Sequence, residues 1–283
     1  MAGLDGKFCV VTGGTSGIGL AAAERLAAMG ADLVLVGHDP ARAAAANARL
    51  SSILPRAKVT VILADLSLLS EQRRVAETLA ALPRIDVLLN NAGAIFNQRS
   101  ETADGLERTF ALNHMGYYVV TRLLEARLRA SAPMRIVNVA SGAHRGAKLD
   151  LDDLQMQRRF DGWLAYRNSK LCNILFTREL ARRLEGSGIT ANCLHPGFVA
   201  SRFGDNNSGL FRAGVAFAKR FAAIPVEAGA ETPVYCATSP ELDGVTGLYF
   251  GKCRAETPSP AAQDDASARR LWQESARIAG LPA

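Results

Sequence analysis

Aromatic residues are scarce in this 283-residue chain, at 6%, and no stretch of about eighteen uninterrupted apolar residues occurs, so no transmembrane segment is expected. The amino-terminal residues 1–8 lack an apolar signal stretch, and a soluble, cytoplasmic protein is expected. The five cysteines (Cys9, Cys172, Cys193, Cys236 and Cys253) contain no CxxC pair and are odd in number. That argues against a disulfide framework and for reduced, mostly buried thiols. The four histidines (His38, His114, His144 and His195) show no ligand spacing, so no metal is expected. Basic residues outnumber acidic ones by only 33 to 27, and no Lys/Arg block stands out. Nucleic acid is therefore not an expected partner. The net charge of +6 reads as a mild field able to attract a phosphate-bearing cofactor.

What is present is a core-forming composition, 48% hydrophobic, arranged as short β-branched runs alternating with longer alanine-rich stretches. Strands are expected at 8–12, 32–36, 58–63, 85–89, 135–139 and 189–194, with a short last one at 247–250. Helices are expected at 18–29, 41–54, 70–82 (Ser70 as N-cap), within 102–130, at 163–185 and at 227–238. Strands apolar on both faces and alternating with helices imply a parallel sheet covered on both sides. The expected fold is α/β: a single-domain, Rossmann-type, doubly wound parallel sheet flanked by helices, spanning residues 1–283. Two irregular segments at strand carboxyl ends, 142–162 and 200–226, are expected to act as substrate lids. Residues 210–224 could form an amphipathic helix, as a lid packed on the core or in peripheral contact with a membrane.

The chemistry-bearing motifs all follow strands. Thr12-Gly-Gly-Thr-Ser-Gly-Ile-Gly19 links the first strand to the first helix. Gly13, Gly17 and Gly19 allow a sharp turn and close approach to a pyrophosphate. Thr15, Ser16 and Ile18 accompany them at a helix N-terminus that favours negative charge. At the end of the second strand, an acid would favour NAD and a basic residue NADP. Here Gly37 removes the acid from the usual place, and His38 and Arg42 could meet a phosphate. Asp39 argues the other way if the strand end is shifted, but NADP(H) is favoured over NAD(H). Asp65 and Leu66 follow the third strand, and Asn90-Asn91-Ala92-Gly93 the fourth, where small residues admit the cofactor. His195, Pro196 and Gly197 follow the sixth, beside the expected nicotinamide.

Tyr166 and Lys170 lie four residues apart, on one face of the long helix. A neighbouring ammonium is expected to lower the phenol's pKa, so that Tyr166 can exchange a proton with a carbonyl or alcohol oxygen during hydride transfer. Ser141, after the fifth strand, could hold the substrate oxygen. Asn113 is placed at the start of a helix, where its amide could cap that helix or bridge through water toward Lys170.

Together these motifs resemble the short-chain dehydrogenase/reductase family over most of the chain. The stretches 135–144, 164–176 and 194–197, with Cys253 and Trp272 in the tail, resemble its retinol dehydrogenase and WW-domain oxidoreductase-like branch. So does the 25-residue gap between Ser141 and Tyr166. The resemblance implies a catalytic tetrad of Asn113, Ser141, Tyr166 and Lys170. It makes Tyr166 the acid/base, Lys170 a second holder of the nicotinamide ribose, and Val199 and Ser201 contacts to the carboxamide. His38 departs from the branch, where many relatives carry arginine. The reading is an NAD(P)(H)-dependent oxidoreductase for a lipophilic aldehyde, ketone or alcohol. The alternative is a non-catalytic NAD(P)-sensing interaction protein. A homodimer or homotetramer paired through residues 113–130 and 163–185 is the expected assembly.

Overall fold

The computed structural model describes residues 3–53, 58–197, 199 and 224–283. Strands β1 (Phe8–Thr12), β2 (Asp32–Gly37), β3 (Val59–Leu63), β4 (Val87–Asn90), β5 (Met134–Val139) and β6 (Ile189–Leu194) run parallel. They join β7 (Tyr249–Gly251) and β8 (Arg254–Glu256) in one sheet of order β3-β2-β1-β4-β5-β6-β7-β8. Only the β7–β8 pairing is antiparallel. The chain order reverses between β1 and β4, the place where open parallel sheets present a crevice at their carboxyl edge.

Side-chain alternation along the strands builds two cores. From β1, Cys9 and Val11 face α1 (Gly17–Ala28), while Val10 faces the opposite layer with Val34 and Ile136. Ala22, Ala23 and Leu26 of α1 are fully buried, and the small alanines let that helix close on the sheet. The remaining α-helices among the described residues are α2 (Pro40–Ile53), α3 (Leu69–Ala80), α4 (Arg108–Phe110), α5 (Gly116–Leu123), α6 (Glu125–Ala130), α7 (Gly162–Arg183), α8 (Val226–Gly229), α9 (Glu231–Thr238) and α10 (Asp265–Ala279). No described helix is long and apolar enough to cross a membrane.

Three local expectations are revised. Ser70 lies inside α3; its flanking residue is Leu68, and the free Leu69 N–H is taken instead by Asp104 Oδ2 at 2.8 Å, from a distant loop. The helical pattern of 102–130 begins only at Arg108, where buried Glu107 accepts from Thr109 N (2.8 Å) and Phe110 N (2.7 Å). Asn113 therefore starts no helix; it sits in a π-turn, Ala111–Met115, between α4 and α5.

The helix α10 packs on the outer faces of α5 and α7. The Trp272 ring stacks on Phe176 (5.9 Å between centroids) and meets Tyr118 edge-on (5.2 Å), with the Arg122 and Arg183 guanidinium groups over it. Tyr118 Oη donates to Trp272 O at 3.2 Å, and His114 Nε2 meets Ser275 Oγ at 2.8 Å. Part of the α5 and α7 surface expected to pair between subunits thus lies beneath the carboxy-terminal helix.

Candidate active site

The glycine loop closes on the end of β4. Thr12 Oγ1 accepts from Asn91 N (2.9 Å) and Ala92 N (3.1 Å), and Asn91 Nδ2 donates to Thr12 O (3.0 Å) and Gly13 O (3.3 Å). Asn91 thus holds the loop with its amide while lining the cleft. Gly13 has φ +65°, and a Cβ on Gly19 would collide with the Gly13 carbonyl and the Asn91 amide. Ser16 flanks α1 with no side-chain cap, leaving the first-turn N–H groups open toward an anion. A Cβ on Gly37 would strike the Thr15 side chain, so Gly37 is required by the packing of Thr15 as well as by space for a ligand. This backbone cradle fits the pyrophosphate of a dinucleotide.

At the end of β2, Asp39 is engaged locally. Its carboxylate accepts from Arg42 N at 3.0 Å and pairs with Arg42 Nε at 2.9 Å, and the backbone hydrogen bond from Arg42 holds its pKa below the usual range. His38 and Arg42 line the cleft. The Asp65 carboxylate closes a turn by accepting from Ser67 N (3.0 Å) and Ser67 Oγ (2.8 Å). Asn90 belongs to the sheet, with Nδ2 donating to Asn138 Oδ1 (2.9 Å) in a buried chain that continues from Asn138 to Thr177.

Across the cleft, Ser141 and Tyr166 meet. The Ser141 hydroxyl oxygen accepts from Ala143 N at 3.2 Å, and the hydroxyl is hydrogen-bonded to the Tyr166 phenol. Tyr166 is 8% exposed, and burial pushes its pKa up to about 12 against the opposing pull of Ser141. The direction is opposite to the expected lowering by Lys170, because desolvation of the phenolate dominates. Lys170 is also buried, and desolvation brings its pKa down to about 7. Its Nζ donates to Val139 O at 2.9 Å, a carbonyl at the end of β5, and lies 5.8 Å from the Tyr166 ring centroid. Asn113 Nδ2 donates to Ala94 O (2.9 Å) and Ser169 Oγ (3.0 Å), and its Oδ1 accepts from Ala94 N (2.9 Å). A Cβ on Gly93 would fall 3.2 Å from Asn113 Oδ1 and 3.3 Å from Lys170 Nζ, so Asn113 and Lys170 converge behind Gly93.

The cleft encloses about 770 Å³ and is lined by nearly every residue singled out in the sequence, including Gly13, Ile18, Leu66, Ala92, Pro196 and Val199. Gly19 and Asn113 stand behind its wall, and Ser201 and residues 210–223 lie outside the described residues. The sequence reading missed Phe96, Arg108, Leu112 and Trp163, which also line the cleft. Their contribution depends on tertiary placement: the Arg108 guanidinium sits 4.7 Å over the Phe96 ring, and Trp163 stacks on Tyr166 at 5.7 Å. An aromatic three residues before Tyr166, on the same helix face, was the available signal.

A dinucleotide cradle at the switch point of a parallel sheet, facing a hydrogen-bonded hydroxyl pair, is the architecture of a nicotinamide-dependent oxidoreductase. The chain belongs to the short-chain dehydrogenase family, whose model matches residues 7–208. It is similar to human retinol dehydrogenase 14, at 40% identity over 98% of this chain and 88% of that protein. An uncharacterized protein from Mycobacterium paratuberculosis has a similar structure, with TM-score 0.80 and 30% identity over 100% of this chain and 97% of the other. A Pseudomonas aeruginosa RhlG/NADP active-site complex matches with TM-score 0.68 and 27% identity, over 88% of this chain and 95% of that one. The protein is accordingly an alcohol/carbonyl oxidoreductase of the retinol dehydrogenase branch, using a nicotinamide dinucleotide.

Proposed function

We propose that the chain moves hydride between NADP(H) and the reacting carbon of a lipophilic aldehyde, ketone or alcohol, with Tyr166 as general acid/base. The observation that carries this reading is the hydrogen-bonded pair of half-buried Ser141 and buried Tyr166, lining the same cleft as the glycine cradle. When held by the glycine cradle, a reduced nicotinamide dinucleotide would supply hydride for the carbonyl carbon. As the C=O π pair moves onto oxygen, Tyr166 Oη gives its proton to that oxygen, and Ser141 Oγ holds the oxygen in place. Burial keeps the phenol protonated at neutral pH, the form that donates in the reducing direction. In alcohol oxidation the same atom must accept the proton, so the oxidation rate is expected to rise with pH while reduction stays flat near neutrality. Lys170, anchored on Val139 O, stabilises the phenolate left behind. Asn113 ties the Ala94 turn to Ser169 of the Tyr166–Lys170 helix.

The preference for a lipophilic substrate is supported by Phe96, Leu112 and Trp163 lining the cleft, and by the similarity to a retinol dehydrogenase. The preference for NADP(H) is supported by His38 and Arg42 lining the cleft while Asp39 is tied to Arg42. A homodimer or homotetramer is the assembly proposed, pairing through the parts of residues 113–130 and 163–185 that α10 leaves open.

NADPH and NADH oxidation against a panel of aliphatic aldehydes, ketones and retinal tests the proposal. The expected result is turnover with NADPH preferred, and a severalfold fall in the NADPH-to-NADH ratio of kcat/KM in Arg42→Ala, the scale of one partly exposed charge. Tight cofactor binding without turnover on any substrate would favour a cofactor sensor instead.

A further inference from the structure

Two histidines that the proposed chemistry does not use flank the candidate catalytic residues, and both are tied to the last hairpin of the sheet and the segment after it. His144 is 1% exposed. Its Nδ1 lies 2.7 Å from Ser141 O, and Ser259 N donates to its Nε2 at 3.1 Å. An N–H pointing at Nε2 makes that atom the acceptor, so Nδ1 carries the proton and donates to the Ser141 carbonyl. Burial holds this imidazole below its ordinary pKa, keeping it neutral in that one tautomer. The Ser141 backbone is thereby clamped one residue before the turn Gly142–Gly146.

His195 does the equivalent on the other side. Gly197 N donates to its Nδ1 at 3.3 Å, which leaves the proton on Nε2, 3.3 Å from Glu256 Oε2 on β8. Gly197 has φ +87°, so this bond braces a turn that few other residues could form. A Cβ on Gly251 of β7 would collide with His195 Nε2 and Glu256, which shows how closely the pair lies on the strand. The Tyr249 ring sits between the two histidines, edge-on to His144 at 5.1 Å and stacked on His195 at 5.6 Å.

We propose that His144 and His195 are positioning residues for the reaction, holding the Ser141 turn and the Pro196–Gly197 turn in register from Ser259 and Glu256. The proposal rests on the reading that Ser141 and Tyr166 carry the chemistry. Small displacements of reacting groups are costly: about 1 Å of misplacement is worth on the order of a hundredfold in rate. Neither histidine needs to touch substrate for its loss to be felt, since each acts through a backbone group.

The test uses the full chain, with NADPH and an aldehyde that the wild type reduces in a Tyr166-dependent way. His144→Phe keeps a ring against Tyr249 and removes both hydrogen bonds. It should lower kcat by about tenfold to a hundredfold while leaving the KM for NADPH unchanged. His144→Asn keeps a donor near the Nδ1 position and should recover most of that loss, and it serves as the readable variant should His144→Phe not fold. In a Ser141→Ala background, His144→Phe should cost less than about twofold more, because the group it positions is gone. Glu256→Leu should instead raise the KM for NADPH through the released Gly197 turn. Undiminished loss in the Ser141→Ala background, or no recovery in a folded His144→Asn, would reduce His144 to a stability role and overturn the proposal. A wild type that turns over through Tyr166, with His144→Phe and Glu256→Leu both near wild type, would overturn the brace and leave the proposed function standing. A wild type without Tyr166-dependent turnover would remove both.

Discussion

The two walls of the cleft are built on opposite principles. The amino-terminal wall, from β1, β2 and β4, is shaped by side chains that are absent: Gly13 and Gly19 leave backbone close to backbone, Gly37 makes room for the Thr15 side chain, and Thr12 and Asn91 lock the loop with neutral hydrogen bonds. The carboxy-terminal wall, from β5, α7 and β6, buries ionisable groups instead, with Tyr166 pushed up to about 12 and Lys170 down to about 7. The first wall suits a ligand with fixed charge, whose binding needs geometry and open N–H groups. The second suits proton exchange, which needs groups whose charged forms are held at a disadvantage until the reaction calls for them. Pyrophosphate binding and proton exchange are therefore expected to separate by wall, with the Gly197 turn after β6 adding to NADPH binding from the second.

The largest expected effect is on chemistry alone. Tyr166→Phe should cost about 10²–10⁴-fold in kcat, the range for general acid–base catalysis, with little change in NADPH affinity. The converse substitution, Gly19→Ala, drives a methyl group into the Gly13 carbonyl and the Asn91 amide. Overpacking of that kind costs about 1–3 kcal/mol, so NADPH affinity measured by fluorescence titration should fall roughly tenfold or more. Turnover at saturating cofactor should survive. Loss of binding in Tyr166→Phe, or loss of saturated turnover alone in Gly19→Ala, would break the division.

Two stability effects sharpen the comparison. The Lys170 pKa is depressed from 10.5 to about 7, so the unfolded state holds the extra proton between those values. The penalty on the native state is full below about pH 7 and fades as pH rises toward 10.5. Lys170→Met, inactive or nearly so, should therefore raise the urea midpoint, most at or below neutral pH and least near pH 10.5. An equal gain at both ends would show that Lys170 is not held in a desolvated site. A shift of the same span, in the acid range, belongs to His114, buried beneath α10 with its pKa lowered from 6.5 to about 3. As pH falls through that window the unfolded imidazole binds a proton that the native one does not, and stability is lost. His114→Phe should flatten that acid slope; an unchanged slope would place the acid sensitivity elsewhere.

Much of the first wall was legible in the chain, because its determinants are local. The β1 strand and the glycine loop are contiguous, and a positive φ or a forbidden Cβ leaves a glycine in the sequence. Tyr166 and Lys170 were equally visible through their spacing on α7. What escaped was settled over long sequence distances. Leu69 N is satisfied by Asp104, so a nearby serine misled the capping assignment. The π-turn around Asn113 arises where Gln72 Nε2 reaches Ala111 O at 3.3 Å and Asn113 bonds the Ala94 backbone, contacts with no local pattern. Strand β8 was missed because it is a three-residue edge strand with little apolar content. The fate of the α5 and α7 faces hinged on α10, whose Trp272 resembles an ordinary core residue until its contacts with Phe176 and Tyr118 are seen. The direction of the Tyr166 shift also lay beyond the sequence, since residue spacing reports the neighbouring charge and not the degree of burial.

The central claim is that chemistry resides on Tyr166 while the opposite wall binds the dinucleotide. Its most direct test is a paired measurement on wild type and Tyr166→Phe: the Kd for NADPH by fluorescence, and the rate of aldehyde reduction at saturating NADPH. Equal affinities with a rate lower by about 10²-fold or more is the predicted result. A reduction rate that survives the loss of the phenol hydroxyl would contradict it.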